Sequence, residues 1–588
     1  MHRLKLLFTL IILPFITQAQ LSPRSKQIIA NAQRVIKAYH KDAPKNNNVI
    51  KVVYFHGKDR EPLTNWEQRL DRVLTAVDSF YRDGFKQAGI DVDGVNFERA
   101  DKKYVITVVR GDKDSKSYDA NSGPQLQGEI ARKAGGKIDF AKDHVLVLTG
   151  LTYLRDDGIY AFHSPYNGMG SSQQGVCYAS DSEVLDPKYL SDKSSRMKFT
   201  ERPGMLKDCL IAEFNSWYIG GIAHEMGHMF GLRHDFGNPA ELRPDLISLM
   251  GEFGSRHFDD YRWGGPQTSQ MSAAGILQLL SHPVFTKSRK EIDSRKWLAL
   301  NDLQFEQRDS SILLKANIEA EEAPYALTVL IHPWNNDEYR NESSMYTISA
   351  VGPLEIPLRK RFNGLYRITM VFMFANGSTQ AVFKFFSVGD DGIKVLNVPG
   401  QGGVDVKELH SRLSKSVQTD KTVQKLRILE AVIKPIAPVD AAIYEGKSLY
   451  LSDAKWLIAS VGWERPARNY YATEAEATFF LENQGELFEK GLFAHSPSVY
   501  KFSLNKKWKH FSAIVGLRDG AHPQQGSAKF TLLGDGKVLY QSLGLRVGQR
   551  DEVKVNIKNV NMLELKADGT EGHNYNSWAV WINPLLAR

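Results

Sequence analysis

The chain has 588 residues, of which 42% are apolar, 11% aromatic and 24% charged. This length predicts three or four domains, and the balanced composition excludes a disordered or low-complexity protein. The formal net charge of +8 is spread along the chain without a basic stripe or a recognisable binding motif, which argues against nucleic acid as a partner.

The N-terminal residues have the pattern of an export signal. Arg3 and Lys5 precede an apolar run over residues 6–16, and Ala19 ends a stretch typical of signal-peptidase sites. We expect residues 1–19 to be a signal peptide and the mature protein to be secreted or periplasmic. The run is shorter than the roughly 20 residues that a membrane span needs, so a membrane anchor is the weaker alternative. No membrane span is expected after removal of the signal.

The chain has two cysteines, Cys177 and Cys209, and export would place them in an oxidising compartment. Oxidising compartments allow disulfides to persist, so we expect these residues to form one bond. Two buried free thiols are the alternative. Neither cysteine has the spacing of a metal ligand.

A polar lead-in over residues 20–48 is followed by a predicted buried strand at 49–55. Thr64 and Glu67 form a capping box before a predicted amphipathic helix. Its apolar positions recur at helical spacing and are Trp66, Leu70, Val73, Leu74, Val77, Phe80 and Tyr81. Further strands at 104–109 and 144–151 flank a helical pattern near 125–133. Alternating strands and helices indicate an α/β layer.

The next part of the chain leads into a long helix. Residues 156–192 predict a loop with a short strand at 176–179, and residues 208–230 predict a helix with Asp208 as N-cap and Gly231 as its stop. A later helix at 269–280 closes a domain that we place at residues 49–285.

The pattern then changes to short alternating segments. Those at 311–316, 326–331 and 368–374 predict a β-sandwich domain at residues 297–400. A charged amphipathic helix is predicted at 404–433, followed by a stiff linker at 434–438 with two prolines. Residues 440–588 are again rich in β patterns. The predicted fold class is multidomain, with an α/β domain followed by two β-sandwiches.

The chemistry is carried by residues 224–235, which read HEMGHMFGLRHD. Residues four apart share one face of an α-helix, so His224 and His228 can bind one metal ion with Glu225 beside it. Gly231 permits a left-handed turn that brings His234 back as the third ligand. We therefore predict one catalytic Zn²⁺.

Three imidazoles leave the fourth tetrahedral position open, as a catalytic zinc site requires. Glu225 is the predicted catalytic base, which takes a proton from the attacking water and passes it to the leaving amine. A core helix with this pattern by chance is the alternative. Six specified residues at these spacings should arise by chance in only on the order of a few per million such chains.

The segment resembles the extended zinc signature of the metzincin metalloproteases. This resemblance implies a metzincin-like α/β catalytic domain with a methionine turn below the metal, and Met250 is the candidate. It gives Asp235 a supporting role in the local fold and none in catalysis. Some metzincins carry a tyrosine two residues after that methionine, whereas this chain has Glu252, so the group that stabilises the oxyanion beyond zinc is unassigned. The resemblance also implies an edge strand that pairs with substrate, for which residues 176–179 are the candidate.

The C-terminal part resembles NPCBM domains, a module described as carbohydrate-binding. The segments that carry the resemblance are 450–453, 459–463, 488–496, 511–519 and 534–540, and it spans nearly all of residues 440–588. It implies a β-sandwich whose candidate sugar contacts are Trp463, His495, Asp519 and Trp578. An ordinary core role is the alternative for each. Where the family has acidic residues near its end, this chain has Asn574, Asn576 and Val580.

Together these patterns predict a secreted zinc endopeptidase that acts on protein or glycoprotein and carries a glycan-binding C-terminal domain. A non-catalytic zinc-containing glycan-binding or adhesion protein is the main alternative, against which the intact Glu225 argues. A glycoside hydrolase is less well supported, because that chemistry needs paired carboxylates across a sugar site and none can be picked out.

Overall fold

The computed structural model describes residues 21–588 except 46–47, 163, 201–205, 295, 334–337, 391, 397–405, 464–465, 473–477, 522–525, 571–573 and 575. The expected signal peptide at residues 1–19 lies outside this described part. Within it, no helix combines the length and the apolar character that crossing a membrane requires.

A five-stranded sheet forms the centre of the N-terminal domain. Its strands lie in the order Ile106–Arg110, Ile50–His56, His144–Thr149, Gly175–Ser180 and Asn167–Gly170. The first four run parallel, and Asn167–Gly170 pairs antiparallel at the edge. His144–Thr149 and Gly175–Ser180 are buried along their whole length, as expected for strands covered on both faces.

Helices cover both faces of this sheet. Those on one face share a core and are Pro23–Tyr39, Trp66–Gln87, Ile211–Met229, Ala273–Leu279 and Pro283–Thr286. Gly123–Lys133 packs on the other face. The α/β layer predicted from the alternating pattern is therefore present. A smaller sheet beside it has the order Leu206–Leu210, Arg196–Thr200, Ile159–Ala161 and Tyr153–Leu154. Two short pairs complete the domain, Leu246–Ser248 with Thr268–Gln270 and Arg99–Ala100 with Lys103–Tyr104.

Several predicted element boundaries in this domain were wrong. Asp208 does not cap the long helix, which begins at Ile211, because Asp208 lies in the strand Leu206–Leu210 and its carboxylate accepts a hydrogen bond from the Arg196 side chain. Thr64 does not form a capping box, because its hydroxyl donates to Glu183 and Asn65 is the N-cap of the helix.

The lead-in and the last helix also differ from the prediction. Residues 20–48 are not only a polar lead-in, since the helix Pro23–Tyr39 buries Ile28, Ile29, Ala32 and Ile36 in the core. The helix predicted at 269–280 begins at Ala273, because Thr268–Gln270 forms a strand and the Ser272 side chain caps the helix.

The expected disulfide is wrong. Cys177 and Cys209 are both buried free thiols, and they lie in the strands Gly175–Ser180 and Leu206–Leu210, which belong to different sheets. Burial raises the pKa of Cys177 well above its usual value and raises the pKa of Cys209 to about 12. Both thiols are thus held in the unreactive protonated form.

The second domain is a sandwich of two antiparallel sheets that share one core. One sheet has the order Leu298–Gln307, Ser311–Ala320 and Gly352–Arg359. The other has the order Glu342–Thr347, Ala326–Pro333, Gly364–Met373, Thr379–Gly389 and Gly392–Leu396. The single helix expected at 404–433 is instead two helices, Val406–Ser414 and Asp420–Ile433, because the Thr419 side chain caps the start of the second.

The C-terminal domain is a second β-sandwich. One sheet has the order Ala467–Arg468, Gly491–Phe493, Ala579–Ala587, His510–Leu517 and Arg550–Asn556, with Ser448–Tyr450 also paired to Ala579–Ala587. The facing sheet has the order Ile458–Ser460, Ser498–Ser503, Met562–Gly569, Ser527–Gly534 and Lys537–Gln541, with Leu545–Arg546 also paired to Ser527–Gly534. A small third sheet is formed by Tyr470–Ala472, Thr478–Asn483 and Glu486–Phe488.

Candidate metal centre and substrate cleft

The candidate site is built on the helix Ile211–Met229, which we call the site helix. Its last two turns carry His224, Glu225 and His228. The helix ends because Gly231 adopts a left-handed conformation with φ +84°, and the Leu232 N–H donates to the Gly227 carbonyl at 2.9 Å. This hydrogen bond is typical of helix ends with glycine in the left-handed region. The turn redirects the chain so that His234 faces the helix.

The three histidines converge on one point. The Nε2 atom of His228 lies 3.1 Å from the Nε2 atoms of both His224 and His234. The ligand atoms of all three lie within 4.8 Å of one another. The imidazoles are thus arranged as three donors to a single ion.

Hydrogen bonds from the other ring nitrogen, Nδ1, fix the orientation of two of these rings. Nδ1 of His224 donates to the Leu249 carbonyl at 2.8 Å, and Nδ1 of His228 donates to the Leu232 carbonyl at 2.9 Å. Each bond holds the proton on Nδ1 and leaves Nε2 as a lone-pair donor, as metal-binding histidines require. Burial, together with the neighbouring His228, lowers the pKa of His224 to about 3, which favours the neutral ligand form. This donor set fits a zinc ion.

Glu225 follows His224 on the site helix, and its side chain is half-buried. Burial raises the pKa of its carboxyl to about 8, and a hydrogen bond from the Gly168 backbone N–H opposes this shift. A nearby cation favours the ionised carboxylate, which is the form that accepts a proton. The same hydrogen bond links Glu225 to the edge strand of the sheet.

Met250 lies under the site helix. It is 4% exposed, and its sulfur packs so closely on Gly227 that a Cβ added there would lie 2.6 Å from it. The Met250 carbonyl accepts the Asp235 N–H at 3.0 Å, and the neighbouring Leu249 carbonyl orients His224. Asp235 is buried and accepts hydrogen bonds from Gly237 and Ser272. Both residues support residues 230–235, the segment after the site helix that carries His234, which we call the histidine loop.

Tyr339, which the sequence patterns did not single out, completes the site from the second domain. Its ring stacks on the His234 ring with centroids 3.6 Å apart. Its carbonyl accepts the Glu252 N–H at 3.1 Å, and the adjacent Arg340 forms a two-point ion pair with the Glu252 carboxylate. Glu252 therefore anchors the segment that places Tyr339 against His234.

Asn341 fastens this segment to the histidine loop. Its side-chain amide donates to the His234 carbonyl at 3.1 Å, and its own carbonyl accepts the Phe236 N–H at 2.8 Å. The second domain is thus part of the candidate metal centre. No local motif marks Tyr339, because about one hundred residues separate it from His234 along the chain.

Of the two edge strands of the central sheet, the one that lies along the site helix is Asn167–Gly170, which we call the edge strand, so the prediction of residues 176–179 was wrong. Those residues lie in Gly175–Ser180, which is paired on both sides and fully buried. Asn167–Gly170 runs directly along the site helix. A Cβ added at Gly168 would lie 1.8 Å from the Glu225 carbonyl oxygen, so only glycine allows this approach.

We therefore expect Gly168→Ala to push the edge strand off the site helix. Overpacking against a backbone atom should lower the free energy of unfolding by about 1–3 kcal/mol. It should also reduce turnover of any substrate that needs this strand. Urea unfolding and activity assays check both effects. Gly128→Ala is the control, because its added methyl meets nothing nearer than 3.6 Å. Equal behaviour of the two variants would contradict the close approach.

A cavity of about 470 Å³ extends from the histidines between all three domains. The N-terminal domain contributes His228, His234 and the edge strand. The second domain contributes a wall from the strand Gly364–Met373, and the C-terminal domain contributes Trp463. The cleft is therefore a joint product of the three domains.

Three of the four predicted sugar contacts lie together. Trp463 and Trp578 have ring centroids 4.7 Å apart, and His495 lies 5.3 Å from Trp578. Asp519 is not part of this group. Its carboxylate accepts the Gln484 and Gly485 N–H groups and so holds a hairpin turn.

Comparison with known proteins identifies one domain. Residues 447–587 match the NPCBM/NEW2 domain, which confirms that the C-terminal part contains the NPCBM domain that we placed at 440–588. A putative endo-alpha-N-acetylgalactosaminidase of Renibacterium salmoninarum is 27% identical over 178 residues, which are 28% of this chain and 12% of that protein. The chain thus matches only a small part of that relative.

Solved structures give distant matches. OgpA from Akkermansia muciniphila, in complex with an O-glycopeptide, is 19% identical with a TM-score of 0.48, over 60% of this chain and 97% of that chain. A CBM51 from Clostridium perfringens GH95, in complex with methyl-galactose, is 23% identical with a TM-score of 0.22, over 24% of this chain and 99% of that chain.

Proposed function

We propose that the protein is a secreted, metzincin-type zinc endopeptidase that acts on glycoproteins. The convergence of His224, His228 and His234, with Glu225 on the same helix, is the observation that carries this proposal. The left-handed turn at Gly231 and the position of Met250 below the site helix support the metzincin type.

His224, His228 and His234 would hold the zinc ion, which would supply Lewis-acid chemistry for the attack of water on a peptide carbonyl at neutral pH. Glu225 takes the proton of the attacking water and then delivers it to the nitrogen of the leaving amine. The hydrogen bond from Gly168 and the packing of the edge strand hold this carboxylate in place. Glu225 therefore accepts one proton and releases one proton in each turnover.

The edge strand Asn167–Gly170 gives the substrate a backbone to pair with. It is hydrogen-bonded to Gly175–Ser180 on one side, and it lines the cleft next to the histidines. An extended peptide added to its other side would run along the site helix past Glu225. Pairing of this kind orients the scissile bond with main-chain contacts that do not depend on side chains.

Tyr339 is our candidate for the group that stabilises the oxyanion. Its ring stacks on the His234 ring, and its segment is held by Glu252 and Asn341, so the ring is fixed next to one of the three histidines. A fixed hydrogen-bond donor that stabilises the negative charge formed on the substrate oxygen in the transition state raises kcat.

We expect Tyr339→Phe to lower kcat by about 10²–10³-fold with little change in KM, because the ring stack is kept and only the hydroxyl is lost. Steady-state kinetics on a peptide substrate check this. Tyr261→Phe is the control, since that hydroxyl contacts Asp245 on the surface. An unchanged kcat in Tyr339→Phe would restrict Tyr339 to packing against His234.

The NPCBM domain beside the cleft supports a glycoprotein as the substrate, because its aromatic cluster faces the cavity next to the edge strand. The test is digestion of a glycosylated mucin and of its deglycosylated form, with and without a metal chelator. Faster, chelator-sensitive cleavage of the glycosylated form is the expected result. Tight binding to the mucin without cleavage of any protein would favour the non-catalytic glycan-binding alternative.

A further inference from the structure

A second cavity, of about 490 Å³, lies next to the cleft between the edge strand and the C-terminal domain. The two cavities share the walls formed by Met169, Gly170, Ser171, Gly462 and Trp463. Trp463 therefore stands at the division between the metal centre and the second cavity. Anything bound in the second cavity lies close to a peptide held in the cleft.

The wall of this cavity on the side of the C-terminal domain is a fixed aromatic cluster. The Trp463 and Trp578 rings meet at 66°, and the His495 ring stands at 84° to Trp578. The Arg518 guanidinium lies 4.1 Å from the Trp578 ring and 3.7 Å from the Phe479 ring, and so supports Trp578 from beneath. Rings held in this way lose little entropy when they contact a ligand.

The chemistry of the cavity selects a neutral ligand. Among the described residues that line it there is no Asp, Glu, Lys or Arg. The polar side chains there are amides such as those of Asn574 and Gln174, the hydroxyls of two serines, and the imidazole of His495. An ionised ligand group would be buried there without a counter-charge, at considerable cost. Aromatic faces with a few amides at their edges suit the apolar faces and hydroxyl groups of a sugar ring.

The C-terminal domain is held in this position by direct contacts with the hairpin of the edge strand. The Asn574 side-chain amide donates to the Gln174 side-chain carbonyl at 3.1 Å, and the Gln173 side chain donates to the Ser460 hydroxyl at 3.1 Å. The aromatic cluster therefore faces the catalytic domain. A sugar bound there could be attached to the same peptide that occupies the cleft.

We propose that this cavity binds a neutral hexose or N-acetylhexosamine attached to the substrate itself, a few residues from the bond that is cut. The C-terminal domain then forms one side of the substrate-binding site and selects peptides that carry this sugar, in addition to any role in attaching the protein to glycan-rich surfaces. This inference rests on the proposed peptidase function.

The first arm of the test measures binding to the full-length Glu225→Gln protein by calorimetry, with galactose, N-acetylgalactosamine and N-acetylneuraminic acid as probes. At least one neutral sugar should bind, and Trp578→Ala or His495→Ala should weaken it on the order of tenfold. Leu543→Ala is the control, because Leu543 is 85% exposed in the same domain and away from the cavity. Preferred binding of the charged sugar, or unchanged affinity in both variants, would overturn the proposal.

The second arm compares cleavage of two identical peptides, one of which carries a single N-acetylgalactosamine. Trp578→Ala should reduce the ratio of kcat/KM for the sugar-bearing peptide over the bare peptide by about tenfold, whereas Leu543→Ala should keep it. His495→Ala serves as the second variant if Trp578→Ala lowers the melting temperature. An unchanged ratio in folded variants contradicts the inference. If wild type cleaves neither peptide but sugar binding still depends on Trp578, the peptidase function fails and the sugar site stands.

Discussion

Glu225→Gln is expected to lower kcat for peptide hydrolysis by about 10²–10⁴-fold, the range that a positioned general base contributes. Glutamine keeps the size of the side chain and its place beside the histidines but cannot accept the proton. Bound metal should remain at the wild-type level, since the three imidazoles are untouched. Steady-state kinetics with metal analysis of the same sample measure both quantities.

Glu213→Gln is the matched control for this variant. Glu213 lies in the first turn of the same helix and is exposed, so its substitution should leave activity unchanged. Retention of activity in Glu225→Gln would exclude Glu225 as the base. Loss of metal along with activity would instead show that the carboxylate supports the metal centre.

His234→Ala should remove most of the bound metal and with it the activity. Substitution of a residue that only hydrogen-bonds to a metal ligand lowers metal affinity by about 10- to 100-fold, so loss of a ligand itself should lower it further. The two remaining imidazoles on the site helix are too few for a catalytic zinc site. Metal analysis after dialysis against a weak chelator measures the loss.

The control for this variant is His410→Ala, because His410 lies on the helix Val406–Ser414, outside the cavity that holds the histidines, and its ring is within hydrogen-bonding distance of Glu430. Wild-type metal content in His234→Ala would mean that the third imidazole is not a ligand. The convergence of the Nε2 atoms would then have no role in metal binding.

The local part of the site could be predicted from the sequence. Helical spacing places His224, Glu225 and His228 on one turn, and a glycine at position 231 is the residue type that allows the left-handed turn toward His234. These relations depend on residues within about three turns of helix. The structure brings the three histidines together in the way that this spacing requires.

The non-local part could not be predicted. Tyr339 reaches His234 because the second domain docks on the histidine loop through Asn341 and Glu252, and no periodic pattern carries this information. The sequence places Met169 in a glycine-rich stretch that reads as a loop. It becomes part of an edge strand only because Gly168 and Gly170 can approach the backbone of the site helix.

The boundary errors have a similar cause. Asp208 is a good N-cap residue by type, but its segment is taken up by pairing with the strand Arg196–Thr200. The resemblance to NPCBM domains predicted Trp463 and Trp578 as sugar contacts. Their position next to the edge strand depends on contacts between the C-terminal and N-terminal domains, which the sequence does not reveal. Tertiary contacts therefore override local preference at the places that form the cleft.

The most direct test of peptidase activity is mass spectrometry of the products formed from a mucin-type glycoprotein by the zinc-loaded protein. New peptide N termini, on fragments that still carry their sugars, are the expected result, and they should be absent with Glu225→Gln. Free sugars released from an uncut polypeptide would contradict peptide hydrolysis at this site.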